Sequence, residues 1–348
     1  MQTRVYAAQA AKQPLAPSTI ESREVGPKDV AIDILFSGIC HSDIHQAREE
    51  WGKGIFPMVP GHEIVGRVSK VGASVQKVKV GDLAGVGCMV DSCKECDMCH
   101  RDHEQFCELG NAATYNGTEM DRTTPTYGGY SQHIVVTERF VLKVPGTLDP
   151  AGAAPLLCAG ITTYSPLRRW KCQTGSRVGV IGLGGLGHMA VKLASAMGAE
   201  VTMLSTSQRK AEDAKQLGAH DFALTTNKDV FKKLAKRFDL LIDTVSAAHD
   251  YNAYLRLLRP YGAMVCVGAP PEPQAIAAFA LIGGSKCLAG SAIGGIAETQ
   301  EMLDYCAAKN IVADVEVIAA KQINEAYERT IKGDVRYRFS IDARTFAE

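Results

Sequence analysis

The sequence predicts an α/β protein of two parts, a β-rich, barrel-like unit and a doubly wound parallel sheet. Three observations carry this. The first 150 residues hold short runs of Val, Ile and aromatic residues broken by Gly and Pro, with no regular helices between them. After about Ala151, short apolar runs alternate with amphipathic stretches of helical period. Between one such strand and helix lies a glycine-rich turn, G-x-G-x-x-G, at Gly182, Gly184 and Gly187.

Taken in order, residues 30–40 (VAIDILFSGIC), 64–75 and 130–145 predict strands of the first part. Residues 177–182 (RVGVIG) predict a strand buried on both faces. Behind it Leu186, Met189, Ala190, Leu193, Ala194 and Met197 recur at helical spacing, and Gly198 stops the helix. Residues 200–205, 238–245 and 263–269 predict further strands, with helices expected at 208–217 and 251–258 between them. The last fifty residues are expected to rejoin the first part. The division expected is 1–155 with 296–348 for one domain and 156–295 for the other. No internal repeat or low-complexity segment is present.

In the 348 residues, 38 Lys and Arg balance 38 Asp and Glu, so the formal net charge is zero. A nucleic-acid or anionic-membrane partner would call for a basic surplus, and none is expected here. No apolar run approaches the roughly 18 residues that span a bilayer; the longest, 275–284, ends at Ser285 and Lys286. The first residues lack the apolar core of a secretory signal, which predicts a cytoplasmic protein. Of the eleven cysteines, Cys88, Cys93, Cys96, Cys99 and Cys107 fall within 20 residues. In a reducing compartment such a cluster reads as metal binding.

The turn Gly182, Leu183, Gly184, Gly185, Leu186, Gly187 gains meaning from its strand-to-helix context. Glycines let a pyrophosphate approach the backbone, and the helix start offers unpaired N–H groups. About 20 residues further on, an NAD site places an acid for the ribose 2′-hydroxyl. This chain reads Ser205, Thr206, Ser207, Gln208, Arg209, Lys210 instead. Hydroxyls and two cations favour a 2′-phosphate, hence NADP(H). A plain alternative has Ser207 merely capping the next helix.

Cys93, Cys96, Cys99 and Cys107 offer four thiolates, the donor set of a closed, structural zinc site. An iron–sulfur cluster is the rival, but the spacing of bacterial ferredoxins differs in its last gap. Cys40, His62, Glu63 and Cys158 are scattered, and no spacing rule makes them a site.

GHE at 61–63, the four-cysteine lobe and GLGGLG, in that order, resemble the zinc-dependent medium-chain alcohol dehydrogenases. CHSD at 40–43, PLLCAGITTYSPL at 155–167 and STS at 205–207 are similar to the cinnamyl-alcohol-dehydrogenase branch, which includes bacterial aldehyde reductases. The resemblance runs over essentially the whole chain. It implies a GroES-like catalytic domain, a Rossmann domain binding NADP(H), one catalytic and one structural zinc ion, and a homodimer. It further implies catalytic zinc on Cys40, His62 and Cys158, with Glu63 approaching the metal. Ser42 and His45, one helical turn apart, would relay a proton by way of the nicotinamide ribose, so that Ser42 also meets the cofactor. Thr162 is implied beside the nicotinamide, and Thr244, Gly268, Ser291 and Ile293 along the cofactor.

The activity implied is reversible hydride transfer between NADPH and aromatic or medium aliphatic aldehydes. Ala112 and Ala292 stand where plant relatives carry aromatic pocket residues, which implies a wide apolar pocket. Two other functions were open to the sequence. A non-catalytic NADP-binding regulatory protein of the same fold would lack catalytic ligands. A zinc lobe docking on nucleic acid or a partner protein would be basic, yet Asp91, Glu95, Asp97, Asp102, Glu104 and Glu108 outnumber Lys94 and Arg101.

Overall fold

Alternating side chains set the register of the N-terminal sheet. In the computed structural model, which describes residues 2–347, β1 (Gln2–Ala7) pairs antiparallel with β2 (Ala16–Glu21). β3 (Asp29–Ile39) buries Val30, Ile32 and Ile34 and exposes Asp33, as a strand with one face on the core requires. β4 (Ile64–Val71) and β5 (Leu83–Val86) follow antiparallel to their neighbours. β6 (Met89–Asp91) and β7 (Ala112–Ala113) form a small ribbon at the base of the cysteine lobe. β8 (His133–Thr137) pairs with β3, and β9 (Leu142–Lys143) closes one edge.

The next six strands are all parallel: β10 (Arg177–Ile181), β11 (Glu200–Ser205), β12 (Asp221–Leu224), β13 (Phe238–Asp243), β14 (Leu258–Cys266) and β15 (Cys287–Gly290). Their order is β12-β11-β10-β13-β14-β15, so the sheet reverses direction beside β10. At such a switch point the carboxyl ends of the strands leave a crevice for a ligand. β10, β11 and β13 are apolar almost throughout because both faces are covered. On one side Phe238, Leu241, Leu255, Leu258 and Met264 pack into a single cluster.

The helix expected at 251–258 is shorter, Tyr251–Leu255, because Leu258 already opens β14. The strand expected at 64–75 likewise ends at Val71, where Gly72 packs on the backbone of Gly26 and Pro27.

β16 (Val315–Ala319) and β17 (Arg338–Asp342) join β3 at the far edge, giving the order β16-β17-β3-β4-β5-β9. Residues up to Ile161 together with those from Gly294 onward form one packed unit, and Thr162–Ile293 form the other. Among the described residues no helix is long and apolar enough to cross a membrane.

Candidate active site

β3 runs into the core at Ile39, and Cys40 then caps the helix His41–Ala47. Asp43, in the first turn of that helix, is wholly buried. Its carboxylate accepts the Cys40 N–H at 2.8 Å, which fixes the start of the helix. The same carboxylate accepts the Gly61 N–H at 3.1 Å and the Tyr130 hydroxyl at 3.3 Å. Gly61 has φ +104°, and an added Cβ would meet the Gly129 nitrogen at 2.8 Å, so the turn before His62 needs glycine.

His62 Nδ1 lies 3.1 Å from Asp43 Oδ1. A carboxylate only accepts, so Nδ1 carries a proton, and Nε2 is the atom left to face a metal. That is the tautomer a metal needs, with the orientation fixed by a carboxylate behind it. Nε2 sits 3.2 Å from Cys158 Sγ, and Tyr115 stacks on the ring at 5.7 Å between centroids. Burial pulls the His62 pKa down, but the charge of Asp43 more than reverses this.

Cys158 follows the short helical turn Ala154–Leu157 and is buried. Its sulfur lies 3.9 Å from that of Cys40, and both are free thiols. A hydrogen bond with Cys158 holds the Cys40 thiol well below its usual pKa, with the Arg338 charge acting the same way. Glu63, wholly buried, pairs one carboxylate oxygen with Arg338, itself buried on β17. The other oxygen, Oε2, has no hydrogen-bond partner among the described residues. Burial pushes this carboxyl up to about 7, against the pull of Arg338.

The donor atoms of Cys40, His62, Glu63 and Cys158 all lie within 4.8 Å of one another. A tetrahedral zinc ion with Zn–S near 2.3 Å and Zn–N near 2.1 Å would set its donors about 3.6–3.8 Å apart. The separations fit. Two sulfurs, one ring nitrogen and a partnerless buried carboxylate oxygen are a donor set that an apolar core would not otherwise tolerate.

Ser42 Oγ lies 3.5 Å from Cys40 Sγ. His45, on the same helix, is half-buried; its Nδ1 pairs with Glu50 and its ring stacks on Trp51 at 4.7 Å. Trp51 therefore packs on His45 while remaining about half exposed, at 53%.

The lobe thiols of Cys93, Cys96, Cys99 and Cys107 also gather within 4.8 Å. Backbone N–H groups point at the sulfurs: Cys96 N–H to Cys93, Cys93 N–H to Cys107 and Glu108 N–H to Cys96, each at 3.4 Å. The N–H groups of Glu95 and Cys96 draw the Cys93 thiol down to about 6. Donors aimed at three of the four sulfurs favour thiolates there, while burial pushes the Cys99 thiol the other way; four cysteines so gathered are still the donor set of a closed zinc site.

In the second unit, Gly182 has φ +89°, and a Cβ on Gly187 would collide with the Gly182 carbonyl oxygen. Gly184 caps the helix Gly185–Ala196, and a Cβ built there meets nothing within 4 Å. Open space over the first turn of a twelve-residue helix is what a pyrophosphate requires. Leu183 is buried beneath the turn. Ser205 is buried and accepts the Ser207 N–H at 3.2 Å, while Thr206 and Arg209 are exposed. Ser207 makes no side-chain cap, so the plain capping alternative fails. Lys210 reaches back to donate to the Leu183 carbonyl at 2.5 Å, tying the end of β11 to the glycine turn.

Thr244 donates its hydroxyl to Ile181 O and Gly182 O at 2.8 and 3.1 Å. Gly268 packs on Val245, where a Cβ would sit 2.6 Å from the backbone. Thr162 is buried in the helix Ala159–Arg169, the Ser291 N–H bonds to Cys266 O at 3.2 Å, and Ile293 has φ +38° at the end of the unit. Ala112 is buried in β7 and Ala292 is exposed.

Sequence reasoning missed Arg338, Tyr115 and Glu50, and gave Asp43 no role. Asp43 alone had a signal, its place inside CHSD.

The chain matches the alcohol dehydrogenase GroES-like domain over residues 26–146 and the zinc-binding dehydrogenase domain over residues 185–308. It is 56% identical to NADP-dependent alcohol dehydrogenase C 1 of Mycolicibacterium smegmatis, covering 97% of each chain. It is 52% identical over the full length of both chains to aldehyde reductase YahK of Escherichia coli. A cinnamyl alcohol dehydrogenase structure from Sorghum bicolor superposes with a TM-score of 0.96 at 45% identity, covering 99% of this chain and 98% of that one. The chain belongs to the zinc-binding alcohol dehydrogenase family, on its cinnamyl-alcohol-dehydrogenase-like branch.

Proposed function

We propose that the protein is a zinc-dependent alcohol dehydrogenase that uses NADP(H) and works as a reductase of aromatic and medium aliphatic aldehydes. The observation that carries it is the buried convergence of Cys40, His62, Glu63 and Cys158. A regulatory protein of the same fold has no use for such a ligand set, and the curated relatives above are named as enzymes. Cys40, His62 and Cys158 would hold the catalytic ion, with Glu63 as a fourth donor, and Cys93, Cys96, Cys99 and Cys107 the structural one. When bound, the catalytic zinc supplies Lewis acidity to a carbonyl oxygen and NADPH supplies the hydride.

The residues of the chain do the rest. Asp43 keeps His62 in the tautomer with a free Nε2. Arg338 holds Glu63 by one oxygen, leaving the other for the ligand cluster. Ser42 hands a proton to the substrate oxygen, and His45, oriented by Glu50 and Trp51, resupplies it. The glycine turn from Gly182 to Gly187 receives the pyrophosphate. Ser205, Thr206, Ser207, Arg209 and Lys210 form the end that takes the 2′-phosphate, with Thr162, Thr244, Gly268, Ser291 and Ile293 along the nucleotide. Small Ala112 and Ala292 suit a broad substrate range.

The cofactor assignment is tested by kcat/KM with NADPH and NADH. One or two charge-assisted bonds to the 2′-phosphate predict a preference for NADPH of about ten- to a hundredfold. Ser207→Asp, which adds a repelling carboxylate, should abolish it. A native preference for NADH would overturn the assignment.

The protein is further assigned to the cytoplasm and to a homodimer. β15 is the edge strand of its sheet, and Tyr261, Phe279 and Ile282 are exposed at 84%, 82% and 65% in the same unit. An open edge beside large exposed apolar side chains calls for cover, and a second copy is the occupant proposed. Phe279→Asp should convert a dimer to a monomer in light scattering; a native monomer would refute the assignment.

A further inference from the structure

Asp243 ends β13 between β10 and β14 and has no exposed surface. A carboxylate so placed is costly unless its charge is answered. Oδ1 accepts the Val245 N–H at 3.2 Å. Oδ2 accepts no hydrogen bond among the described residues, but His249 Nε2 stands 3.2 Å from it. The other ring nitrogen, Nδ1, lies 2.8 Å from the Ala247 carbonyl oxygen. A carbonyl oxygen only accepts, so Nδ1 carries a proton. The carboxylate also only accepts, so the arrangement is satisfied when Nε2 carries one too. The imidazolium is the form that fits.

The groups around the ring are few. Asp243 faces it from β13, and Asp250 lies next to it in sequence. Tyr251 and Tyr254, from the helix Tyr251–Leu255, pack on it at 4.8 and 5.5 Å between centroids. The thiol of Cys266 on β14 faces Tyr251. Burial pulls the His249 pKa down, but Asp243 and the Ala247 carbonyl outweigh it and raise the pKa above its usual value.

The segment folded back by this pair is the one that touches the glycine turn. Thr244 donates to the carbonyls of Ile181 and Gly182. Val245 fills the space beside Gly182 and Gly268, its atoms lying 2.7 and 2.6 Å from a Cβ built at either. The backbone carbonyl of Asp243 accepts the Val267 and Gly268 N–H groups at 2.9 and 3.0 Å. One residue thus links both loops at the carboxyl edge of the sheet.

We propose that Asp243 and His249 are a positioning pair for the nucleotide: the charged imidazole folds residues 244–248 against β13, fixing Thr244 and Val245 between Gly182 and Gly268, so that the grip on NADP(H) loosens when His249 loses its proton. This rests on the reading that the second unit binds NADP(H). Below the pKa of His249 the ion pair is intact. As pH rises through it, Asp243 is left buried and unanswered, and the segment is released.

The test is the Kd of NADPH, and in parallel of NADH, followed by cofactor fluorescence from about pH 6 to about pH 9. The proteins are the wild type, His249→Gln and Asp243→Asn, each zinc-loaded and checked by thermal unfolding. The wild-type Kd should rise with pH, by about tenfold across the titration. His249→Gln should show the weak, high-pH affinity throughout, with kcat at saturating NADPH close to the wild type. Asp243→Asn, which removes the charge to be answered, should also bind without the pH step.

A variant that binds with the wild-type pH profile overturns the pair. Should a variant fail to fold, a wild-type Kd for both nucleotides that does not change with pH overturns it equally. Wild-type protein that binds neither nucleotide would instead sink the cofactor reading, and one that binds only NADH would sink the 2′-phosphate assignment while still testing the pair.

Discussion

Cys158→Ser should reduce turnover by about 10⁴-fold or more and lower the zinc content from two ions per chain to one. The hydroxyl nearly matches the thiol in volume, so the turn that carries residue 158 has no steric reason to move. Its chemistry is what fails. A serine hydroxyl stays protonated where a cysteine thiol ionises, and a neutral hydroxyl is a poor ligand for zinc. That leaves Cys40 and His62 to hold an ion with Glu63, which is tied to Arg338 through Oε1 and offers only Oε2. The structural site shares no residue with this one, so its ion should stay, and metal analysis separates the two losses. Circular dichroism and the thermal midpoint should change little. Full activity with two bound ions in Cys158→Ser would place the reaction elsewhere in the protein.

The sequence revealed unequal shares of this arrangement, and chain separation explains the difference. The four lobe cysteines fall within fifteen consecutive residues, so their spacing alone predicts a shared ion. The glycine turn is likewise continuous, lying between a strand and helix whose periods are plain. The cluster of Cys40, His62, Glu63 and Cys158 is different. It is assembled by β3, by the turn into β4 and by a short helical turn more than ninety residues further on, and only the family resemblance joined them in advance.

Arg338 had no signal at all. Its bond to Glu63 spans 275 positions, and in the sequence it sits among other charged and aromatic residues like any surface arginine. Only the antiparallel pairing of β17 with β3 carries it inward. The reach of Lys210 to Leu183 was hidden for a related reason, since it depends on β10 and β11 lying side by side. The boundary near Leu258 failed on local grounds: Leu255, Leu257 and Leu258 suit a helix face and a buried strand equally well, and the sheet decides.

Ser42→Ala should lower kcat by about 10²–10³-fold while leaving zinc content and NADPH affinity near those of the wild type. What surrounds the proton's path decides this. Asp43, the nearest carboxylate in sequence, is wholly buried and already accepts from two backbone N–H groups, a tyrosine hydroxyl and the proton on His62 Nδ1. Those four donors already occupy both of its oxygens, so Asp43 is a poor carrier. A hydroxyl gives one proton while taking another, and Ser42 is half-buried beside Cys40 on the same helix as His45. Alanine keeps the helix and removes only that exchange.

The diagnostic measurement is the pH profile of kcat in the reduction direction. With Ser42 in place the rate follows the supply of protons through His45. In Ser42→Ala, delivery depends on solvent, so the residual rate should respond to added small buffer acids, as the wild type does not. Ser42→Thr, which restores the hydroxyl, should recover most of the loss. If Ser42→Ala turns over near the wild-type rate, the proton takes another route and His45 with Glu50 serves only to anchor Trp51.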